Sequence, residues 1–150
     1  MAMRSTDTAE LFFDGLVIPD SHRIGEINLG FRNALKTLNK ARITVASMAI
    51  GMGYGALNAA RDYSKERKQF GRFIADFQAT QWKIADMATL LQAGRLLTMK
   101  AAADVDSDQK YADSAAKAKL FASKTAQYVT DEAVQIHGGV GYVNEYDVSR

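Results

Sequence analysis

Glu66-Arg67-Lys68-Gln69-Phe70-Gly71 closes a long Ala- and Gly-rich run with a cationic head, an aromatic residue and a glycine. The run reads as a helix, and this stretch ends it. Gly71 supplies the positive φ that terminates a helix, while Lys65, Arg67 and Lys68 place positive charge beside the negative end of the helix dipole. Upstream, apolar residues recur at helical spacing through Phe31, Leu35, Leu38, Ile43, Val45, Met48, Met52, Leu57 and Tyr63, with no proline between them. That periodicity predicts one helix over roughly 30–66. Gly51, Gly53 and Gly55 each cost about 1 kcal/mol of helix propensity relative to Ala, so a neighbouring helix has to come close enough there to compensate.

Downstream of Gly71, Asp76 can N-cap a second helix carrying Phe77, Trp82, Ile84, Met87, Leu90, Leu91 and Leu97 towards one side. The pattern fades at Asp104-Val105-Asp106-Ser107-Asp108, which reads as a turn. A third helix starts near Lys110 or Tyr111, carries Ala115, Ala118, Leu120, Ala122, Ala126, Val129, Ala133 and Ile136, and stops at Gly138-Gly139. Long helices joined by short turns pack antiparallel, so the expected fold class is all-α, an up-down helical bundle. Three such helices leave a groove for a fourth, to be filled by another chain or domain.

Composition narrows the function classes. The 150 residues are 47% hydrophobic and 24% charged, which suits a single packed domain. Lys and Arg number 19 against 17 Asp and Glu, a net charge of +2. With the basic residues dispersed, a nucleic-acid or anionic-membrane partner gains no support. There is no cysteine, and the only histidines are His22 and His137, far apart, so neither a disulfide nor a metal centre is expected. The lack of cysteine fits a reducing compartment, and the expected location is cytoplasmic, or the mitochondrial matrix in a eukaryote. The uncharged run from Ile43 to Ala60 approaches the length of a membrane span, but it is dominated by Ala, Gly and small polar residues, and a helix buried in protein is the expectation.

The N-terminus shows no signal pattern, and Ser5-Thr6-Asp7-Thr8 reads as a polar turn. Glu10-Leu11-Phe12-Phe13-Asp14-Gly15-Leu16-Val17-Ile18-Pro19 reads as a strand, a turn and a second short strand. A lone strand pair is marginal in water, so residues 1–25 are read as an extended tail belonging to a sheet upstream, and residues 26–150 as the helical domain.

Taken together, Arg67-Lys68-Gln69-Phe70-Gly71, Asp76-Phe77-Gln78, Asp86-Met87 and Gln135-Ile136-His137-Gly138-Gly139-Val140-Gly141-Tyr142 occur in an order that resembles the C-terminal helical domain of acyl-CoA dehydrogenases. The likeness spans nearly the whole chain: Met3-Arg4-Ser5 and residues 13–25 resemble the end of that family's middle β-domain, and residues 144–150 break off where the family continues into further helices. It implies a flavoenzyme that oxidises an acyl-CoA between its α and β carbons, FAD taking the hydride. It also implies that Arg67, Phe70, Phe77, Gln78, Gln135, Gly138 and Gly139 contact FAD, largely across a subunit interface of a homodimer or tetramer, with an electron-transfer flavoprotein as acceptor in the full-length context. On their own, Phe70 and Phe77 fit a plain core, Gln78 a first helical turn and Gly138-Gly139 a helix cap; no capping requirement demands Arg67, Gln78 and Gln135 together.

The resemblance further implies that Arg42 holds the acyl-CoA substrate, with Asn39 standing where the family often has an aspartate. An arginine bordering a buried helix usually has an anionic partner, and an ordinary salt bridge is the alternative. No catalytic residue is assigned. The family draws its base from a glutamate beyond the Gly-Gly segment or from the position matching Ala41, so the chain alone is expected to be inactive. His137 is read as a cap or packing residue, and Glu66 and Glu145 as exposed. The same FAD residues also fit an acyl-CoA oxidase or a related flavin monooxygenase, and the fold alone fits a helical assembly module without cofactor.

Overall fold

The computed structural model describes residues 7–149. Three long helices account for most of them: α1 at Gly30–Glu66, α2 at Gln78–Asp106 and α3 at Ala112–His137. They run up, down and up, with α1 packed most extensively on α3 and α2 closing the other side. The all-α bundle is as the periodicity predicts, and α1 has the bounds read from its sequence.

The core is a seam of small residues. Ala46, Ile50, Gly53, Leu57 and Ala60 of α1 meet Met87, Leu91 and Ala101 of α2 and Ala118, Ala122, Val129 and Ala133 of α3. Close approach is visible at two glycines. A methyl group on Gly53 would lie 2.5 Å from Leu91 Cδ2, and one on Gly94 the same distance from Ile50 Cδ1. The helix-propensity cost of glycine is therefore offset by helix contact at Gly53, whereas nothing stands within 4 Å of such a methyl at Gly51 or Gly55. Near the far end of α1 the core turns aromatic. Tyr63 stacks on His137 at 4.4 Å, and Tyr146 meets both edge-on. His137 is buried and its Nδ1 lies 2.8 Å from the Ala133 carbonyl, so it is a packing residue, as expected.

Four sequence expectations change. Residues 10–18 form no strand and are exposed, because a strand pair has no stability without a sheet to extend. Gly71 does have positive φ, +79°, but it does not cap α1. The cap is Arg67, in extended conformation, and Gly71 belongs to a hairpin between β1, Lys68–Gln69, and β2, Arg72–Phe73. Asp76 sits in a short 3-10 turn, and the cap of α2 is Phe77, which offers no side-chain bond; Gln81 Nε2 instead donates to the Ala75 carbonyl at 3.0 Å. Finally, α2 continues through Asp104 to Asp106, held by a Lys100–Asp104 pair one turn apart, and only Ser107–Tyr111 forms the turn. The expectations that rest on residues 1–6 and Arg150 fall outside the described residues.

Candidate functional site

The link between α1 and α2 is a two-residue hairpin, with Lys68 opposite Phe73 and Gln69 opposite Arg72. Its central residues, Phe70 and Gly71, have φ of +54° and +79°, the sign that a type I′ turn requires at both positions. Glycine meets that demand freely. Phenylalanine does not, and holding it there costs roughly 1–2 kcal/mol. Burial offsets little of that strain, since the ring is 92% exposed at the tip of the hairpin. The ring is therefore open to contact from outside this chain.

What lies beside Phe70 defines the site. Its ring meets Phe77 edge-on at 6.3 Å, and Arg72 stacks over Phe77 at 3.9 Å, which fixes the hairpin against the start of α2. A cleft of about 390 Å³ opens between them and the end of α3, lined by Gln69, Phe70, Phe77, Thr80, Lys83 and Gln135 among others. Of the residues expected to hold FAD, the structure thus gathers Phe70, Phe77 and Gln135 in one cleft. Arg67 precedes the hairpin, Gln78 opens α2, and Gly138 and Gly139 follow Ile136 on the cleft wall, so these stand at its edges without lining it. Gly138 ends α3 with φ +62°, and neither it nor Gly139 has any atom within 4 Å of where a Cβ would stand, so backbone can be approached closely there.

Cations flank the hairpin: among the described residues no carboxylate pairs with Arg67, Lys68 or Arg72, although none of the three lines the cleft. Lys83, which the sequence reading missed, is held on the wall by an ion pair with Glu132 that ties α2 to α3. Nothing in its local pattern distinguishes it from any other helix-surface lysine.

The second expected site lies elsewhere. Arg42 stands 25 residues before Arg67 on the same straight helix, about 38 Å away at 1.5 Å per residue. It has no anionic partner among the described residues, so the ordinary salt bridge weighed as the alternative is not formed there. Its Nη1 instead donates to Asn39 Oδ1 at 2.6 Å, one turn back. A neutral amide orients the guanidinium without cancelling its charge.

Residues 28–150 match the sequence profile described as acyl-CoA dehydrogenase, C-terminal domain. The chain belongs to the acyl-CoA dehydrogenase family. It is 46% identical over its full length to the caffeyl-CoA reductase-Etf complex subunit CarC of Acetobacterium woodii and 43% identical to the short-chain specific acyl-CoA dehydrogenase of Clostridium acetobutylicum, spanning 40% of each. Butyryl-CoA dehydrogenase from Megasphaera elsdenii superposes with a TM-score of 0.88 at 44% identity, over 89% of this chain and 35% of that one. The chain thus spans about two fifths of the length of such relatives. Acyl-CoA dehydrogenases are FAD-dependent flavoprotein oxidoreductases. The residues present fit that cofactor: the exposed Phe70 ring for the flat nucleotide rings, amide side chains for their edges, open glycine backbone and unpaired guanidinium groups for a pyrophosphate.

Proposed function

We propose that the chain is the helical part of an FAD-dependent acyl-CoA dehydrogenase, contributing cofactor contacts and an oligomer interface. The observation that carries this reading is Phe70, strained and exposed at the mouth of a cleft with Phe77 and Gln135. Arg67 binds the cofactor pyrophosphate through its bidentate fork, Phe70 and Phe77 cover the rings, and Gln78 and Gln135 hydrogen-bond to them. Bound FAD supplies the two-electron acceptor for a β hydride. Arg42, oriented by Asn39, holds the acyl-CoA. Ala41 carries no ionisable group, so the carboxylate that takes the α proton comes from elsewhere in the protein.

Arg42 and Arg67 are about 38 Å apart along one helix, a separation in keeping with the cofactor near Arg67 serving the centre of a second copy in a homo-oligomer, dimer or tetramer. The acceptor is an electron-transfer flavoprotein, in keeping with a 46% identical relative that is a subunit of an Etf complex. The protein works in the cytoplasm, or in the mitochondrial matrix of a eukaryote.

Flavin absorbance retained after gel filtration tests the cofactor site in the full-length protein. Arg67→Lys and Phe70→Ala are each expected to weaken retention about tenfold, through loss of the fork and of the ring contact. Unchanged retention in both variants returns these residues to helix capping and surface packing. The chain alone, given FAD, acyl-CoA and an artificial acceptor, is expected to show no turnover above free flavin.

A further inference from the structure

Three aromatic rings meet at the end of the bundle where the flavin cleft opens, each from a different segment. Tyr63 comes from α1, His137 ends α3, and Tyr146 follows the glycine turn. Tyr63 and His137 stack at 4.4 Å with 18° between their planes, and Tyr146 stands edge-on to them at 5.9 and 5.8 Å. A hydrogen bond fixes the imidazole in its own helix. The Ala133 carbonyl, 2.8 Å from Nδ1, can only accept, so Nδ1 carries the proton and the ring cannot turn over without losing that bond. His137 is 6% exposed, which leaves water little access to replace it.

The stacked pair joins two sides of the cleft. On one side, the Arg67 amide donates to the Tyr63 carbonyl at 3.0 Å and the Arg67 carbonyl accepts from the Ile74 amide at 2.9 Å, so the placing of Tyr63 carries through Arg67 to the hairpin that bears Phe70. On the other, His137 follows Gln135 and Ile136, which line the cleft, and precedes the open backbone of Gly138 and Gly139. The glycine turn is seated on the histidine. A Cβ on Gly141 would stand 2.7 Å from the Val134 carbonyl oxygen and 3.0 Å from His137 Cβ, so the turn cannot slide along α3. A guanidinium fork and an open backbone grip one pyrophosphate only if their spacing is held to within about 0.5 Å. We infer that Tyr63, His137 and Tyr146 are positioning residues, whose stack sets the spacing between Arg67 and the Gly138–Gly139 backbone. The inference rests on the flavin reading of Arg67 and those glycines, and adds the device that keeps them in register.

The experiment is FAD titration of the flavin-stripped full-length protein, read by flavin fluorescence. Tyr63→Leu is expected to weaken binding about fivefold, while Tyr63→Phe, which keeps the stacking ring, stays within about twofold of the parent. Leu91→Ala lowers stability without touching the rings or the cleft, and it too should stay within about twofold. The deciding measurement is the double variant. If the stack acts by placing Arg67, Tyr63→Leu with Arg67→Lys should bind about as weakly as Arg67→Lys alone, roughly tenfold down, whereas independent effects would multiply to about fiftyfold. Should Tyr63→Leu fail to fold, Tyr146→Leu decides in its place: Tyr146 is 37% exposed, and its loss should cost about threefold, again without multiplying the Arg67→Lys effect. Parent affinity in the leucine variants, Tyr63→Phe as weak as Tyr63→Leu, an equal loss in Leu91→Ala, or a multiplicative double variant overturns the positioning role. Arg67→Lys at parent affinity removes the flavin reading and this inference with it; Arg67→Lys weakened beside unaffected ring variants removes the inference alone.

Discussion

Two apolar stripes run side by side along α1, and they differ in the size of their residues. The inner one, Ala46, Ile50, Gly53, Leu57 and Ala60, is buried against α2 and α3. The outer one, Phe31, Leu35, Leu38, Val45, Met48 and Met52, is exposed, and Trp82, Leu96 and Met99 of α2 and Leu120 of α3 are exposed too. Bulk is thus distributed against the usual order, with the smallest apolar residues inside and many of the largest outside. Small residues let the helix axes come together, so the seam is held by close contact of many atoms. Each large residue left outside retains part of the roughly 1.5–3 kcal/mol that full burial would yield. The inner stripe makes the bundle, and the outer one is surface available for association.

The largest effect expected of breaking that contrast comes from the inside. Leu91 is fully buried and its Cδ2 lies where a side chain on Gly53 would begin. Leu91→Ala should lower unfolding free energy by about 3 kcal/mol, through lost transfer energy and a cavity that helices already in contact cannot close. A chemical denaturation midpoint reads this directly. Gly53→Val tests the same place from the other side. A branched side chain there meets Leu91 head-on, and a loss of about 2 kcal/mol is expected from overpacking. If Gly53→Val is neutral, the helices can separate without penalty and close contact does not hold the seam.

On the outer stripe, Phe31→Ser and Met48→Ser should each change the stability of the single chain by less than about 0.5 kcal/mol. Light scattering at micromolar concentration should instead show the mass falling towards that of the 16.4 kDa chain. A parent chain already at that mass would mean that the outer stripe does not join copies. The smallest effect is electrostatic. Hydrogen bonds from Lys100 and Ser114 hold the Asp104 carboxyl below its ordinary value. A carboxylate depressed in the folded state stabilises it above the unfolded value of about 3.9 and loses that contribution as pH falls through the folded value. Protection of the Ser107–Tyr111 turn amides, relative to their intrinsic exchange at the same pH, should therefore fall below about pH 4, ahead of the seam.

The helices were legible from sequence but the contrast was not, because the apolar spacing that marks α1 runs through Phe31, Leu35, Leu38, Val45, Met48 and Met52, which the bundle leaves exposed. The span of α1 and the stop at Gly138 follow from spacing and a glycine. The hairpin at Lys68–Phe73 did not follow, since nothing local announces that a phenylalanine will adopt a positive φ, and the same glycine serves a helix cap or a turn. The strand pair at residues 10–18 failed for the opposite reason: two apolar runs around an Asp14-Gly15 turn were present, but a strand needs a sheet that propensity cannot supply. At the candidate site, Phe70, Phe77 and Gln135 were legible through ordered motifs, but their meeting in one cleft depends on the antiparallel turn of the chain. Lys83 was not legible, because its role comes from Glu132 on another helix.

The small-residue seam also sets how this sequence can drift. Gly53 and Gly94 tolerate no enlargement without displacing Leu91 or Ile50, and the alanines of the seam can shrink only to glycine, at a cost in helix propensity. Substitutions accepted over long times are therefore channelled to the outer faces. There, new shapes can change what the bundle associates with while its three-helix frame stays fixed.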